Sequence, residues 1–160
     1  MNASPILVRG AALLCLVILA AGGMAHAGAH PVVTLRADHA WMRPAAAGGN
    51  DAGYLRIVNR GKSADWLVAA STPSAAAVSI HESRMVGQVM TMRMVKALEV
   101  PPGSAVTLAP GGFHLMFEGL KGQVRLGQSV PVLLTFAHAG RLKVRFQVSA
   151  LGGVSAMPGM

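Results

Sequence analysis

Glycine and proline cut this chain into segments too short for ordinary helices, and that punctuation limits the fold more than any other feature. Nineteen glycines and nine prolines occur in 160 residues. Tyr54 to Asn59 alternates apolar and polar side chains and runs into a turn at Arg60-Gly61-Lys62. Trp66 to Ala70 is a second short run, and Val78 to Ser83 and Val89 to Val95 flank a turn containing Gly87. Pro101-Pro102-Gly103 breaks the chain before Ala105 to Leu108, and Pro110-Gly111-Gly112 turns into Phe113 to Phe117. Gly119 to Gly127 reads as a loop. Val130 to Phe136 and Leu142 to Val148 read as strands joined at His138-Ala139-Gly140. Strand-length runs with regular turn residues and little helical periodicity predict a single all-β domain, a sandwich or barrel. No internal repeat is visible.

The first 27 residues have a different character. Arg9 is a basic n-region, Ala11 to Ala21 is an apolar h-region, and Ala25-His26-Ala27 is a small-x-small cleavage site. This is the form of a secretory signal peptide, too short and wrongly flanked for a spanning helix, with a retained N-terminal anchor as the alternative. Cleavage after Ala27 leaves 133 residues, no second span and no cysteine, because Cys15 is the only one. Cys15 lies inside the apolar run, which argues against a lipid anchor there. The mature chain is then expected to make no disulfide and no thiolate–metal bond, and a blue-copper site, which needs a cysteine ligand, is excluded. The chain is therefore expected to be exported and to work in an oxidising compartment. Loss of Arg9 lowers the formal charge from +8 to +7. The basic residues are scattered, and no nucleic-acid motif accompanies them. The plainest reading is a solvated surface, with acidic partners or anionic lipid as other uses. No interface feature is visible, so a monomer is expected. The expected organisation is a signal peptide at 1–27, a mature N-terminal segment at 28–39, a β-sandwich domain at 40–150 and a flexible tail at 151–160, which is rich in small residues.

Chemistry concentrates on His81, Met92, His114 and Met116. Imidazole with uncharged thioether, and no thiolate, suits Cu(I) or Ag(I) far better than hard cations or Zn(II). With a two-residue loop at Val86-Gly87, His81 falls opposite Met92, close enough for both to reach one ion. A one-residue slip would separate them. His114 and Met116 share a strand face. Phe113, Leu115 and Phe117 take the other face and mark it as the core, so the ligand pair is expected to face outward or to line a shallow surface site. Each residue also has a plain alternative. A lone strand histidine is usually a surface group, and Met90, Met92 and Met94 could line a core wall.

Weaker signals accompany these. Cleavage after Ala27 would expose Gly28-Ala29-His30, whose amine, amides and imidazole form a square-planar set suited to a secondary Cu(II) site. Met157 and Met160 could add thioethers, although a plain disordered terminus explains them too. Met42, Met85 and Met90 are candidates for near-site residues, and His39 and His138 read as surface or turn groups. An enzyme is not expected. The carboxylates are only Asp38, Asp51, Asp65, Glu82, Glu99 and Glu118. No nucleophile–His–acid spacing or phosphate loop stands out, and Glu82 reads as solvated.

The spacing is itself specific: His81, ten residues, Met92, twenty-one residues, then His114-Leu115-Met116. In this the chain resembles the PCuAC family of periplasmic copper chaperones. The flanks are similar too: Ala40-Trp41-x-Arg43-Pro44, Gly53-Tyr54-Leu55 with Asn59, Ser79-Ile80-His81-Glu82, and Pro110-Gly111-Gly112-Phe113. The similarity runs from about Ala40 to Val148. It implies a cupredoxin-like Greek-key β-sandwich holding one Cu(I) through His81, Met92, His114 and Met116. It also implies delivery of copper to the binuclear site of cytochrome c oxidase subunit II, alongside Sco-type thiol copper proteins. A periplasmic copper buffer or resistance protein using the same site is the alternative function, and a metal-free β-sandwich interaction module is a third.

Overall fold

The computed structural model describes residues 34–150. All of them belong to the second of the two units into which the chain divides, Pro31–Met160. The expected signal peptide with Cys15, the Gly28-Ala29-His30 motif and the tail with Met157 and Met160 lie outside the described residues.

Ten strands occur in this region: β1 (Leu35–Met42), β2 (Asp51–Asn59), β3 (Asp65–Ser71), β4 (Ala75–Val86), β5 (Val89–Met94), β6 (Leu98–Val100), β7 (Ala105–Leu108), β8 (Phe113–Leu120), β9 (Ser129–Phe136) and β10 (Gly140–Val148). No helix occurs among the described residues. The strands pair in the order β5-β4-β8-β2-β1-β10-β9-β3-β6, with β7 also on β2. Neighbours such as β8 and β2, or β9 and β3, are far apart in sequence, so the chain crosses between layers as a Greek key requires. The first strand starts at Leu35, ahead of the Ala40 at which the sequence reading begins the domain. β1 is an interior strand, antiparallel to β2 and parallel to β10. The expected loop from Gly119 begins later, because β8 continues to Leu120.

The core is formed by the inward faces. Leu115 and Phe117 of β8, Ile80 of β4, Leu55 and Ile57 of β2, Leu134 of β9 and Phe146 of β10 are all buried in one cluster. Phe117 and Phe146 meet edge to face with centroids 5.7 Å apart. Met42, considered at first as a near-site residue, belongs to this core and is fully buried. Thioether there is packing, not ligand.

Two local devices set up the opposite face. Between Asp38 and Trp41, β1 gains one residue against β2, and His39 takes φ 51°. This is a β-bulge, which reverses the side-chain alternation beyond it. The bulge is what puts Trp41 directly opposite Tyr54. At the β4–β5 hairpin, Gly87 has φ 62° and is the first central residue of a two-residue turn, the pattern of type II′.

Polar anchors hold the far end. The buried Asn59 side-chain amide donates to the carbonyls of Ser63 and Val100 and accepts from the Gly61 N–H. The Asp65 carboxylate accepts from the N–H groups of Trp66, His138 and Ala139. Burial alone would raise the pKa of Asp65, but these three donors outweigh it and hold the carboxyl below its ordinary range. His138 sits in the turn, as expected, with its ring edge-on to Trp66 at 5.7 Å.

Gly53 has a packing role. A Cβ there would lie 2.5 Å from Phe117 Cε2 and 2.9 Å from Phe146 Cε1. Gly53→Ala should therefore destabilise the domain by about 1–3 kcal/mol through overpacking. Gly122→Ala, where a Cβ meets nothing within 4 Å, should be near neutral. Urea denaturation of the two variants checks this.

Candidate metal centre

The core fixes which residues face away from it. With Ile80, Leu115 and Phe117 inward, alternation places Ser79, His81, Ser83 and Met85 of β4 on the outer face with His114, Met116 and Glu118 of β8. On the same face of β5 stand Met90, Met92 and Met94. β4 lies between the other two strands, and His81 is directly opposite His114 on one side and Met94 on the other. Trp41, Tyr54, His114, His81 and Met94 therefore form one row across five strands. Ring centroids along it are 4.6 Å for Trp41–Tyr54, 6.4 Å for Tyr54–His114 and 5.8 Å for His114–His81. Met116 is one step along, between Ser79 and Ala52.

The hairpin register corrects one expectation. The two-residue loop is Gly87-Gln88, not Val86-Gly87, so Met94 is the partner of His81 and Met92 is the partner of Ser83. The cause is the positive φ of Gly87, which suits the first central position of the turn. The change amounts to two residues and so keeps every side chain on its expected face. His81 and Met92 are diagonal neighbours rather than opposed.

Of the two placements expected for His114 and Met116, outward exposure or a shallow surface site, outright exposure does not hold. His114 is only 3% exposed, and Met116 is half-buried. The outer face is covered at His114 because the bulge in β1 brings Trp41 over Tyr54, and Tyr54 flanks the imidazole. Burial pushes the Tyr54 phenol above its ordinary range, so it stands beside His114 as a neutral group. His81 is half-buried, whereas Met92 and Met94 are 51% and 68% exposed.

Hydrogen bonds define which ring nitrogens are free. The Ser79 hydroxyl donates its one proton to Glu118 Oε1 at 2.6 Å, so toward His81 Nε2, at 3.0 Å, it can only accept. This assigns the proton of His81 to Nε2 and leaves the lone pair on Nδ1. His114 Nδ1 lies 3.1 Å from the Gly112 carbonyl, which can only accept, so the free lone pair of His114 is on Nε2. Both free atoms, His81 Nδ1 and His114 Nε2, are buried without a hydrogen-bond partner. An unsatisfied buried polar atom costs about 1–3 kcal/mol. Two of them on directly opposed residues are the mark of a site built for an ion or other ligand. The arrangement of an imidazole held through its other nitrogen by a carbonyl or a carboxylate-linked group is that of a metal ligand with its supporting shell. Among the described residues no three His, Cys, Asp or Glu side chains converge to hold a metal. Further donors to the histidine pair would then be thioethers, which the same face supplies.

Three participants were not evident from sequence: Ser79, Glu118 and Met94. Ser79 precedes His81 by two, which puts hydroxyl and imidazole on one strand face, a signal that was available. The link to Glu118 needed the β4–β8 register.

Behind the site, on the inner side of the hairpin, Glu82 corrects another expectation. It is buried rather than solvated, and it accepts from Arg93 at 2.6 and 2.8 Å and from Arg84 at 2.8 Å. The Arg93 and Arg84 hydrogen bonds hold its carboxyl below the ordinary value of 4.5. This clip ties β4 to β5 past the end of the core.

Comparison with known proteins bears on the family and the fold. The LpqE-like family profile, described as "Putative lipoprotein LpqE-like", matches residues 35–148. "Putative lipoprotein Lxx21020" of Leifsonia xyli subsp. xyli (strain CTCB07) is 30% identical over 122 residues, which are 76% of this chain and 73% of that protein. The apo PCuAC domain from PmoF1 superposes with a TM-score of 0.62 at 27% identity, over 73% of this chain and 94% of that domain. The solution structure of Cu(I)-DR1885 from Deinococcus radiodurans gives 0.54 at 28% identity, over 81% of this chain and 86% of that one. The all-β, cupredoxin-like sandwich is thus shared with solved PCuAC domains.

Two outcomes follow. In the metal-free protein, imidazole 15N spectra should show His81 as the Nε2–H tautomer and His114 as the Nδ1–H tautomer, and Ser79→Ala should erase the preference at His81 alone. The Glu82 clip contributes fully above about pH 4.5, and its contribution is lost as the pH falls through the depressed value. Amide protection factors in β5, taken relative to intrinsic exchange at each pH, should fall on acidification through this range, and Glu82→Gln should show low protection already at neutral pH.

Proposed function

The chain belongs to the LpqE-like family, and from the paired free imidazole nitrogens at its outer face we propose that it is an exported copper chaperone carrying one Cu(I). His81 and His114 supply the nitrogen donors, and Met116 and Met92 supply the thioethers. The observation that carries this reading is the pair of buried, unpartnered atoms His81 Nδ1 and His114 Nε2 on directly opposed residues. The spacing of the two methionines matches the PCuAC signature, and soft donors select Cu(I) over hard cations. The similarity to solved PCuAC domains, one of them named as a Cu(I) form, supports the same choice.

The two kinds of ligand divide the work. The imidazoles are held by Gly112 and by Ser79 with Glu118, so they keep their direction with or without an ion. Of the two thioethers, Met92 on the hairpin is exposed and Met116 on β8 is half-buried, so an incoming thiolate can displace them one at a time, Met92 first. A carrier needs both properties, retention in transit and release on contact. The cargo is delivered, on this reading, to the binuclear copper site of cytochrome c oxidase subunit II, with Sco-type thiol proteins as colleagues in the exported compartment. That assignment of partners rests on the family resemblance.

The test is Cu(I) titration of the protein against a competing chromophoric chelator, with X-ray absorption on the product. One tight equivalent showing both nitrogen and sulfur scattering is expected. His81→Ala should weaken binding at least tenfold, Met92→Leu should weaken it more than Met94→Leu, and affinity should fall on acidification as protons compete for the ring nitrogens. Unchanged affinity in the His81→Ala, Met92→Leu double variant would remove the site. For delivery, a deletion strain at low copper should lose oxidase activity. Copper sensitivity with normal oxidase would instead assign the same site to buffering.

A further inference from the structure

The β4–β5 hairpin carries more soft donors than one copper site uses. Met85, Met90, Met92 and Met94 are 58%, 53%, 51% and 68% exposed. They share one face, because Met85 is directly opposite Met90, Met92 is opposite Ser83 and Met94 is opposite His81. Six of the eight exposed large hydrophobic residues among the described ones lie on this hairpin. Methionine normally fills gaps in cores, and holding four of them in water on one surface is unfavourable unless they do something. The other face of the hairpin is different in kind, with Arg84 and Arg93 locked onto Glu82. That clip keeps the two strands in register, so the thioethers stand on a preset ladder rather than on a loose loop.

We propose that Met85 and Met90, with Met92, form a second binding site for a soft monovalent cation, Cu(I) or Ag(I), at the outer end of the hairpin. Directly opposed residues have Cβ atoms about 4.5–5.5 Å apart, and diagonal ones about 7–8 Å. Met85 faces Met90 directly and Met92 diagonally, within reach for three flexible thioethers to converge on one ion. Cu(I) and Ag(I) accept such neutral sulfur sets, and hard cations and Zn(II) do not. The site contains no histidine and no buried donor, so it binds more weakly than the His81–His114 centre. Met92 borders both sites. An ion landing at the tip can therefore move inward by exchanging thioethers, from Met85 and Met90 through Met92 to the imidazoles, and no change of oxidation state is needed. The hairpin site stands on its own residues and does not depend on the histidine reading.

The test uses Ag(I), which is redox-inert, added to the intact chain labelled with 13C at the methionine methyls, with native mass spectrometry for stoichiometry. Two silver ions are expected. The Met85 and Met90 methyls should shift together with the weaker one, and Met92 should respond to both. Met85→Leu with Met90→Leu, at exposed positions that tolerate the change, should abolish the weaker event and leave the tighter Kd within about twofold. Stationary Met85 and Met90 methyls, or an unchanged second equivalent in the double variant, would overturn the proposal and make the hairpin a protein-docking surface instead. Shifts at Met85 and Met90 with none at Met116 would uphold the hairpin site while removing the histidine one.

Discussion

The outer face of this sandwich depends on the antiparallel ladder between β4 and β8. That ladder sets His81 beside His114, and its register is held by apolar burial on the other side of the same strands. Ile80 pairs with Leu115, and both point into the core with Phe117. A one-residue slip of either strand would carry its own core residue, Ile80 or Leu115, into water and its own imidazole toward the core. Full burial of an aliphatic side chain is worth about 1.5–3 kcal/mol. The alignment of the two imidazole rings is thus stabilised by burial on the opposite face of the same strands. The cost of keeping two ring nitrogens buried and unpartnered is met by the same packing.

Much of this was legible in the chain, and the failures have physical causes. The segments that became β2, β3, β4, β5, β7, β8, β9 and β10 alternate cleanly or end on glycine and proline. β1 did not, because the bulge at His39 breaks its alternation and the following Trp41 appears on the wrong face. β6 is three residues long, Leu98–Val100, and no pattern can be read from so few. The hairpin turn was misplaced by one position: either loop needs φ > 0 at its first central residue, a conformation that Gly87 takes and β-branched Val86 resists. The faces survived that error because it changed the pairing by an even number.

The site itself was half visible. Spacing brought His81, Met92, His114 and Met116 forward, and the structure puts all four on one face. What spacing lacks is depth. His114 is flanked by Tyr54, sixty positions earlier in the chain, and by His81, and Tyr54 in turn packs on Trp41. Glu82 was read as solvated because an acid next to a surface histidine usually is. Its partners, Arg84 and Arg93, are on the same strand and the next, and a register two residues different would have set Arg93 elsewhere. The tautomers were out of reach too, because they follow from single hydrogen bonds at Gly112 and Ser79.

Depth also explains why mixed donors suit a carrier better than four of one kind. Burial falls in one direction across the face, from His114 through His81 to the thioethers of β5, which stand in water. The nitrogens at the deep end are aimed in advance, so binding there costs little ordering of side chains. The β5 thioethers at the shallow end stand in water, so each bond they make carries an entropic cost, whereas Met116, half-buried on β8, stands with the deep end. On the proposed reading, an acceptor approaching along the hairpin would meet the weakest bonds before the strongest. The direction of transfer would then be set by which strand is at the edge of the sheet and which lies two strands in.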